Sequence, residues 1–213
     1  MASAPAAALA LPASLGFDCI TFNDAGDCAA GEAQLSVLVE DVGTEQVLFT
    51  FMNQGSGPFA ITDVYFDDGT LIRLAGLIDK DDDALGDGSG DGGVDFSQGA
   101  SPGNLPGGNR IDPPFLVTDT FLADSDPAAR KNGVGTGETL GILFDLLVGR
   151  DLDDVVADLM NGDLRIGLHV QAFPGGGSES FVNDPMAVII PEPSSLALLG
   201  LGLAALARSR RKP

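Results

Sequence analysis

QLSVLVEDVGTEQVLFTFMN, residues 34–53, decides the fold class. Leu35, Val37 and Val39 alternate with Gln34, Ser36 and Glu40, and only Leu38 breaks the pattern; in the second run Val47, Phe49 and Phe51 share one side, opposite Leu48 and Met52. A period of two puts each apolar series on one face of a strand. The Asp41-Val42-Gly43 link is short enough for a hairpin, so the two strands are expected to be antiparallel neighbours.

The same period recurs downstream. After the GSGPF turn at residues 55–59, Ile61, Asp63, Tyr65 and Asp67 alternate with Thr62, Val64, Phe66 and Asp68. Asp68-Gly69 tolerates positive φ at both positions and predicts a hairpin, with residues 70–74 as the return strand. Residues 115–124 suit a strand or a short helical turn, and the apolar run 140–147, too short for a membrane span, suits a buried strand. LRIGLHVQAF, residues 164–173, sets Leu164, Ile166, Leu168, Val170 and Ala172 inward and His169, with Arg165, Gly167, Gln171 and Phe173, on the other side. Residues 179–182 and 186–190 read as two closing strands.

One helix interrupts the strands. In RDLDDVVADLMNGD, residues 150–163, Leu152, Val155, Val156 and Leu159 recur at i, i+3, i+4 and i+7. Asp151 can cap its start and Asn161-Gly162 can stop it, while Asp153, Asp154 and Asp158 form its wet face. The pattern as a whole predicts a mainly β chain: an antiparallel β-sandwich with one connecting helix and a hydrophobic helix at the C-terminal end.

The chain carries 31 Asp and Glu against 11 Lys and Arg, and four of those basic residues lie within 208–212. So acidic a body repels nucleic-acid phosphates and anionic headgroups, which excludes a nucleic-acid partner. Arg130 and Lys131 read as local counter-charge. The acids concentrate in an Asp/Gly/Pro-rich insertion at residues 79–114 with little apolar material, expected to be a solvated loop. Within it Asp87, Ser89 and Asp91, followed by Gly92, match the first half of a Ca²⁺ loop, and Asp95 falls at the ninth position. The match fails at position twelve, where Gln98 replaces the bidentate Glu. A Ca²⁺ site and a merely solvated acidic loop both stay open.

Cys19 and Cys28, the only cysteines, enclose a short loop with Asn23, Asp24 and Gly26. In an exported chain they are expected to form a disulfide. Neither a zinc set nor a CxxC thiol motif is present. Residues 1–14 resemble a weak secretory leader, with an apolar core at 4–11 and Pro12-Ala13-Ser14 after it. No Lys or Arg precedes that core, so the natural start is expected upstream, with cleavage between Ala10 and Leu15. The globular domain is expected over 15–190.

The end of the chain reads PEPSSLALLGLGLAALARSRRKP, residues 191–213. Pro191, Glu192 and Pro193 precede an uncharged run, 194–207, and the run ends in Arg208, Arg210, Arg211 and Lys212. As a helix the run covers about 21 Å, short against a hydrocarbon core of about 30 Å. Its leucines surround the axis and Gly200 and Gly202 interrupt it, unlike an amphipathic surface helix. A basic cluster after an apolar run is retained on the cytoplasmic side, leaving everything before Pro191 outside.

This triplet, run and basic cluster resemble the PEP-CTERM sorting signal, a tail also described as an ice-binding-protein C-terminal domain. The resemblance covers 23 of the 213 residues and does not imply ice binding. It implies a protein exported in a Gram-negative bacterium and held transiently at the inner membrane. The transpeptidase exosortase would then process it near the triplet, for delivery to the envelope or an extracellular polysaccharide matrix. The body resembles short secreted proteins of this class to which no activity attaches.

Three function classes follow. The leading one is a non-enzymatic surface or matrix-associated protein, structural or adhesive. The second is a carbohydrate-binding module, whose aromatic platform would have to come from Phe173 or Phe181, since Trp is absent and Tyr65 is the sole tyrosine. The third is a polysaccharide hydrolase with two carboxylates about 5–9.5 Å apart. His169, the sole histidine, has no serine or cysteine at a recognisable spacing and reads as structural. No catalytic residue is assigned, and no phosphate-binding glycine pattern or GxSxG elbow is present.

Overall fold

The computed structural model describes residues 12–43, 45–68, 72–80, 93–118, 122–127 and 129–184. The chain enters through two short strands, β1 (Ala13–Leu15) and β2 (Phe17–Cys19), which join different sheets. Helix α1 (Ala25–Gln34) runs into β3 (Leu35–Asp41), followed by β4 (Gln46–Asn53), β5 (Ala60–Asp68) and β6 (Ile72–Lys80). Short strands β7 (Phe96–Gln98) and β8 (Leu122–Ser125) lead to α2 (Ala129–Asn132) and β9 (Thr139–Leu146). Helix α3 (Leu152–Asn161), β10 (Leu164–Gln171) and β11 (Ser178–Asn183) complete the described fold.

Two antiparallel sheets result, in the orders β1-β3-β4-β9-β6 and β2-β11-β10-β5-β8-β7. The β3–β4 hairpin forms in the expected way, with Val37 opposite Phe51. Its inward residues meet the second sheet: the Phe66 ring of β5 packs edge-on against Phe49 of β4 at 5.3 Å and Phe144 of β9 at 4.7 Å. All three rings are buried, and edge-to-face packing adds about 0.5–1.5 kcal/mol per pair beyond area burial. The molecule is a mainly β sandwich closed on this aromatic centre.

Helix α3 follows its sequence pattern. Asp151 accepts from the Asp154 backbone N–H, the Asp154 side chain answers to the Asp151 N–H, and Gly162 ends the helix at φ 83°. Leu152, Val155 and Leu159 are buried.

The structure corrects four local expectations. Asp68-Gly69 does not make a hairpin: β5 lies between β10 and β8 in one sheet, while β6 pairs with β9 in the other. The turn chemistry permits a reversal, but both edges of β5 are already taken, so the chain crosses between layers. Helix α1 was not foreseen because it buries only Cys28 and Gly31, too little to leave a 3.6-residue stripe. Phe173 turns inward, since Ala172 takes a φ of 68° just past a register shift at His169/Val170; its ring lies 4.4 Å from Phe59.

The fourth concerns the insertion. Phe96–Gln98 form β7 of the six-stranded sheet, with Val94 and Phe96 in the central core, and residues 99–118 are not a free loop but a strap over that sheet's outer face, with Leu105 and Phe115 buried against Tyr65 and Val182. Gly167 makes room for it: a Cβ there would stand 2.7 Å from Leu105 and 3.1 Å from Phe115. At the N-terminal end, β1 pairs with β3 and buries Ala13 and Leu15, so a cut before Ala13 keeps this strand and a cut after Leu15 removes it.

Candidate functional site

Three groupings of polar residues are built on this frame. The first is the turn between β2 and α1. Cys19 and Cys28 are joined by a disulfide, with Cα atoms 5.3 Å apart. Behind it Glu179 of β11, 1% exposed, directs its carboxylate into the turn. It accepts from the backbone N–H of Asn23 at 3.1 Å and of Asp24 at 2.7 Å, and from the Thr21 hydroxyl. A buried carboxylate needs such donors, and here backbone amides supply them. Asp24 in turn caps α1, accepting from the N–H groups of Gly26 and Asp27.

Within this turn Phe22 stands out to solvent. Its φ is 51°, in the left-handed region, and the residue is 67% exposed. A bulky side chain in that region is an outlier costing on the order of 1–3 kcal/mol, sustained only when the surroundings over-determine it. The Glu179 bonds to Thr21, Asn23 and Asp24 provide that determination. Cys19, Cys28 and Glu179 lie close enough to share one ion, but the sulfurs are bonded to each other and offer no thiolates.

The second grouping is a polar row across the outer face of the six-stranded sheet. Register places Ser180 opposite His169, His169 opposite Asp63, Asp63 opposite Asp124 and Asp124 opposite Ser97. His169 Nδ1 lies 3.0 Å from Asp63 Oδ2, which also accepts from the Thr62 hydroxyl at 2.9 Å. Asp63 Oδ1 and Ser180 Oγ are buried and make no hydrogen bond. Burial, then the Asp63 charge, raises the Asp124 carboxyl above the usual carboxylate range, although the Ser101 backbone N–H pulls the other way. Burial and the same two acids also push the Tyr65 phenol up; its hydroxyl donates to Pro102 O at 2.9 Å.

Serine, histidine and aspartate therefore do meet in one row, although they are far apart in sequence. Sequence spacing could not show this, because the alignment depends on strand register. As a nucleophile Ser180 is withheld: it is 1% exposed and its hydroxyl makes no bond to the imidazole.

The third grouping clamps the strap. Arg165 donates to the carbonyls of Pro113 at 2.7 Å and Pro114 at 2.6 Å, pairs with Asp67, and lies 5.3 Å from the Phe115 ring centre. Asp67 also accepts the Leu116 N–H. One guanidinium thus fixes the far end of the strap to β5 and β10.

The residues singled out by sequence are distributed unevenly. Pro191, Glu192, Pro193 and the cluster of Arg208, Arg210, Arg211 and Lys212 lie outside the described residues, as do Asp87, Ser89 and Asp91. Asp95 is half-buried, its backbone N–H bonded to Asn132 O and its carbonyl to the Asp126 N–H. Phe173 and Phe181, the two candidates for a sugar platform, are 2% and 0% exposed and cannot stack on a ligand. Phe22 and Glu179 were missed. The signal for Phe22 was a lone aromatic in an otherwise polar turn between two cysteines.

Among the described residues no helix is long and apolar enough to cross a membrane. Comparison with curated proteins and with solved structures returned no match. A family comparison did: residues 190–212 match the PEP-CTERM protein-sorting motif, which marks an exported protein sorted by an exosortase through a membrane-anchored stage in Gram-negative bacteria. Over those residues the chain carries a PEP-CTERM protein-sorting motif.

Proposed function

We propose that the sandwich is the non-enzymatic cargo of this sorting route, a structural or adhesive protein of the cell surface or extracellular matrix. The observation that carries the reading is the sorting motif at 190–212 placed after a strongly acidic, disulfide-containing domain. The cross-strand row supports the non-catalytic part: Ser180 and Asp63 are covered, and the ion pair of Arg165 with Asp67 serves the strap. Exosortase is the first partner, and extracellular polysaccharide is the second.

Fractionating the host tests this. The protein should be recovered with the envelope or the polysaccharide matrix, and a chain lacking residues 191–213 should lose that distribution. Recovery of both forms in the same soluble fraction would contradict the reading.

A further inference from the structure

Six large apolar side chains are exposed among the described residues, and five of them gather at one end of the sandwich: Val42, Leu116, Leu147, Val148 and Met160. Strand register fixes that end. β3 finishes and β4 starts there, Gln46 stands opposite Asp145 of β9, and the Leu146 N–H donates to Glu45 O, which sets Leu147 and Val148 beside the turn that holds Val42. Helix α3, with Met160 in its last turn, joins the end of β9 to the start of β10. The Leu116 N–H is tied to Asp67, one residue from the end of β5. Single exposed apolar residues are ordinary, whereas a group of them on one tip marks a contact surface. Val148 is 94% exposed.

The course of the chain selects what that tip meets. Asn183 of β11 stands opposite Phe17, the Asp184 N–H donates to Gly16 O, and β1 sets Leu15 opposite Val37 and Ala13 opposite Val39. The chain therefore leaves β11 heading toward the same end. Gly16 comes one step after the Leu15–Val37 pair, level with Ser36, and from there to Val42 is six residues, about 20 Å of strand. The six residues between Asp184 and Pro191 also span at most about 20 Å. The sorting triplet, and the uncharged run that starts at Ser194, can begin no farther out than about the level of the apolar tip.

We infer that this end of the sandwich seats on the bilayer surface during the membrane-anchored stage, with Val42, Leu147 and Val148 dipping into the interface beside the tail. The fourteen uncharged residues 194–207 are few for a full span, and an apolar tip supplies a second membrane contact. Asp41, Glu45 and Asp151 flank the tip, so zwitterionic lipid fits it and anionic lipid does not. The inference rests on the membrane-anchored stage that the sorting motif marks, and not on the matrix destination.

The test reconstitutes the full chain into phosphatidylcholine vesicles with and without bromine on the acyl chains. The protein has no Trp, so single Trp substitutions report their own depth through bromine quenching. Val148→Trp should lose about half of its emission, and Phe22→Trp, beyond β2 at the opposite end, less than about a tenth. Adding Leu147→Asp and Val148→Asp to a Val42→Trp reporter should cut its quenching about threefold. The urea midpoint should stay unchanged, because all three side chains are already exposed. Absent quenching at Val148→Trp in chains that float with the vesicles, or equal quenching at Phe22→Trp, would overturn the seating and leave the sorting reading intact. A concentration-dependent blue shift of Val148→Trp without quenching would give the tip to a second copy of the chain and likewise overturn it. A chain that does not float at all sinks the membrane-anchored reading, and this inference with it.

Discussion

Asp63 and Asp124 stand directly opposite each other on β5 and β8, two acids in register on the covered face of a sheet. Asp63 is 1% exposed and one of its oxygens has no partner, so the pair is a local cost that the rest of the sheet sustains. His169, Tyr65 and Asp126 are the other titratable groups around it.

The pair gives a pH dependence with a definite sign. The folded chain holds the Asp124 proton to a higher pH than the unfolded chain does, because of burial first and the Asp63 charge second. Its contribution to stability is therefore fullest in acid and falls as pH climbs from the unfolded value, about 4, through the raised folded value. Asp124→Asn should flatten this part of the profile and raise stability near neutrality. Urea unfolding of both proteins across that range checks it; parallel profiles would refute the assignment.

Arg165 is expected to matter through the strap. Arg165→Leu removes two bonds to proline carbonyls and the pair with Asp67, and leaves that half-buried acid uncompensated. A loss of about 2 kcal/mol follows. Hydrogen exchange should quicken within 99–118 and at Leu116 before it does in β4 or β9. Uniform acceleration would mean that the strap is not a separate unit.

Cys19 and Cys28 lie nine residues apart in sequence. Closing so small a loop should contribute about 2–3 kcal/mol. Replacing both cysteines by serine should lower the urea midpoint by a corresponding amount under oxidising conditions, whereas the parent under reducing conditions should approach the variant. An unchanged midpoint would show that Glu179 and the Asp24 cap hold the turn without the bond.

The parts of this fold legible in sequence are those set by neighbours along the chain. The β3–β4 hairpin, the α3 stripe with its Asp151 and Gly162 ends, and the inward series from Leu164 to Val170 are local patterns, and each is found in place. What was not legible depends on pairing between distant strands. The crossing from β5 to β6 overrides an Asp-Gly turn signal, and the Ser180–His169–Asp63–Asp124 row needs three separate registers. Phe173 and Phe181 looked like surface aromatics until a left-handed Ala172 and the packing of Phe181 on Gly31 turned both inward. The sorting tail was readable for the opposite reason: its chemistry is carried by residue type and order in one short segment.

Intact-mass measurement of the protein recovered separately from membrane and extracellular fractions tests the sorting claim most directly. The account predicts a membrane form that keeps the tail and an extracellular form shortened near Pro191-Glu192-Pro193, with Arg208, Arg210 and Arg211 needed for the membrane stage. An extracellular form still ending in Pro213, or an unprocessed chain confined to the cytoplasm, would contradict it.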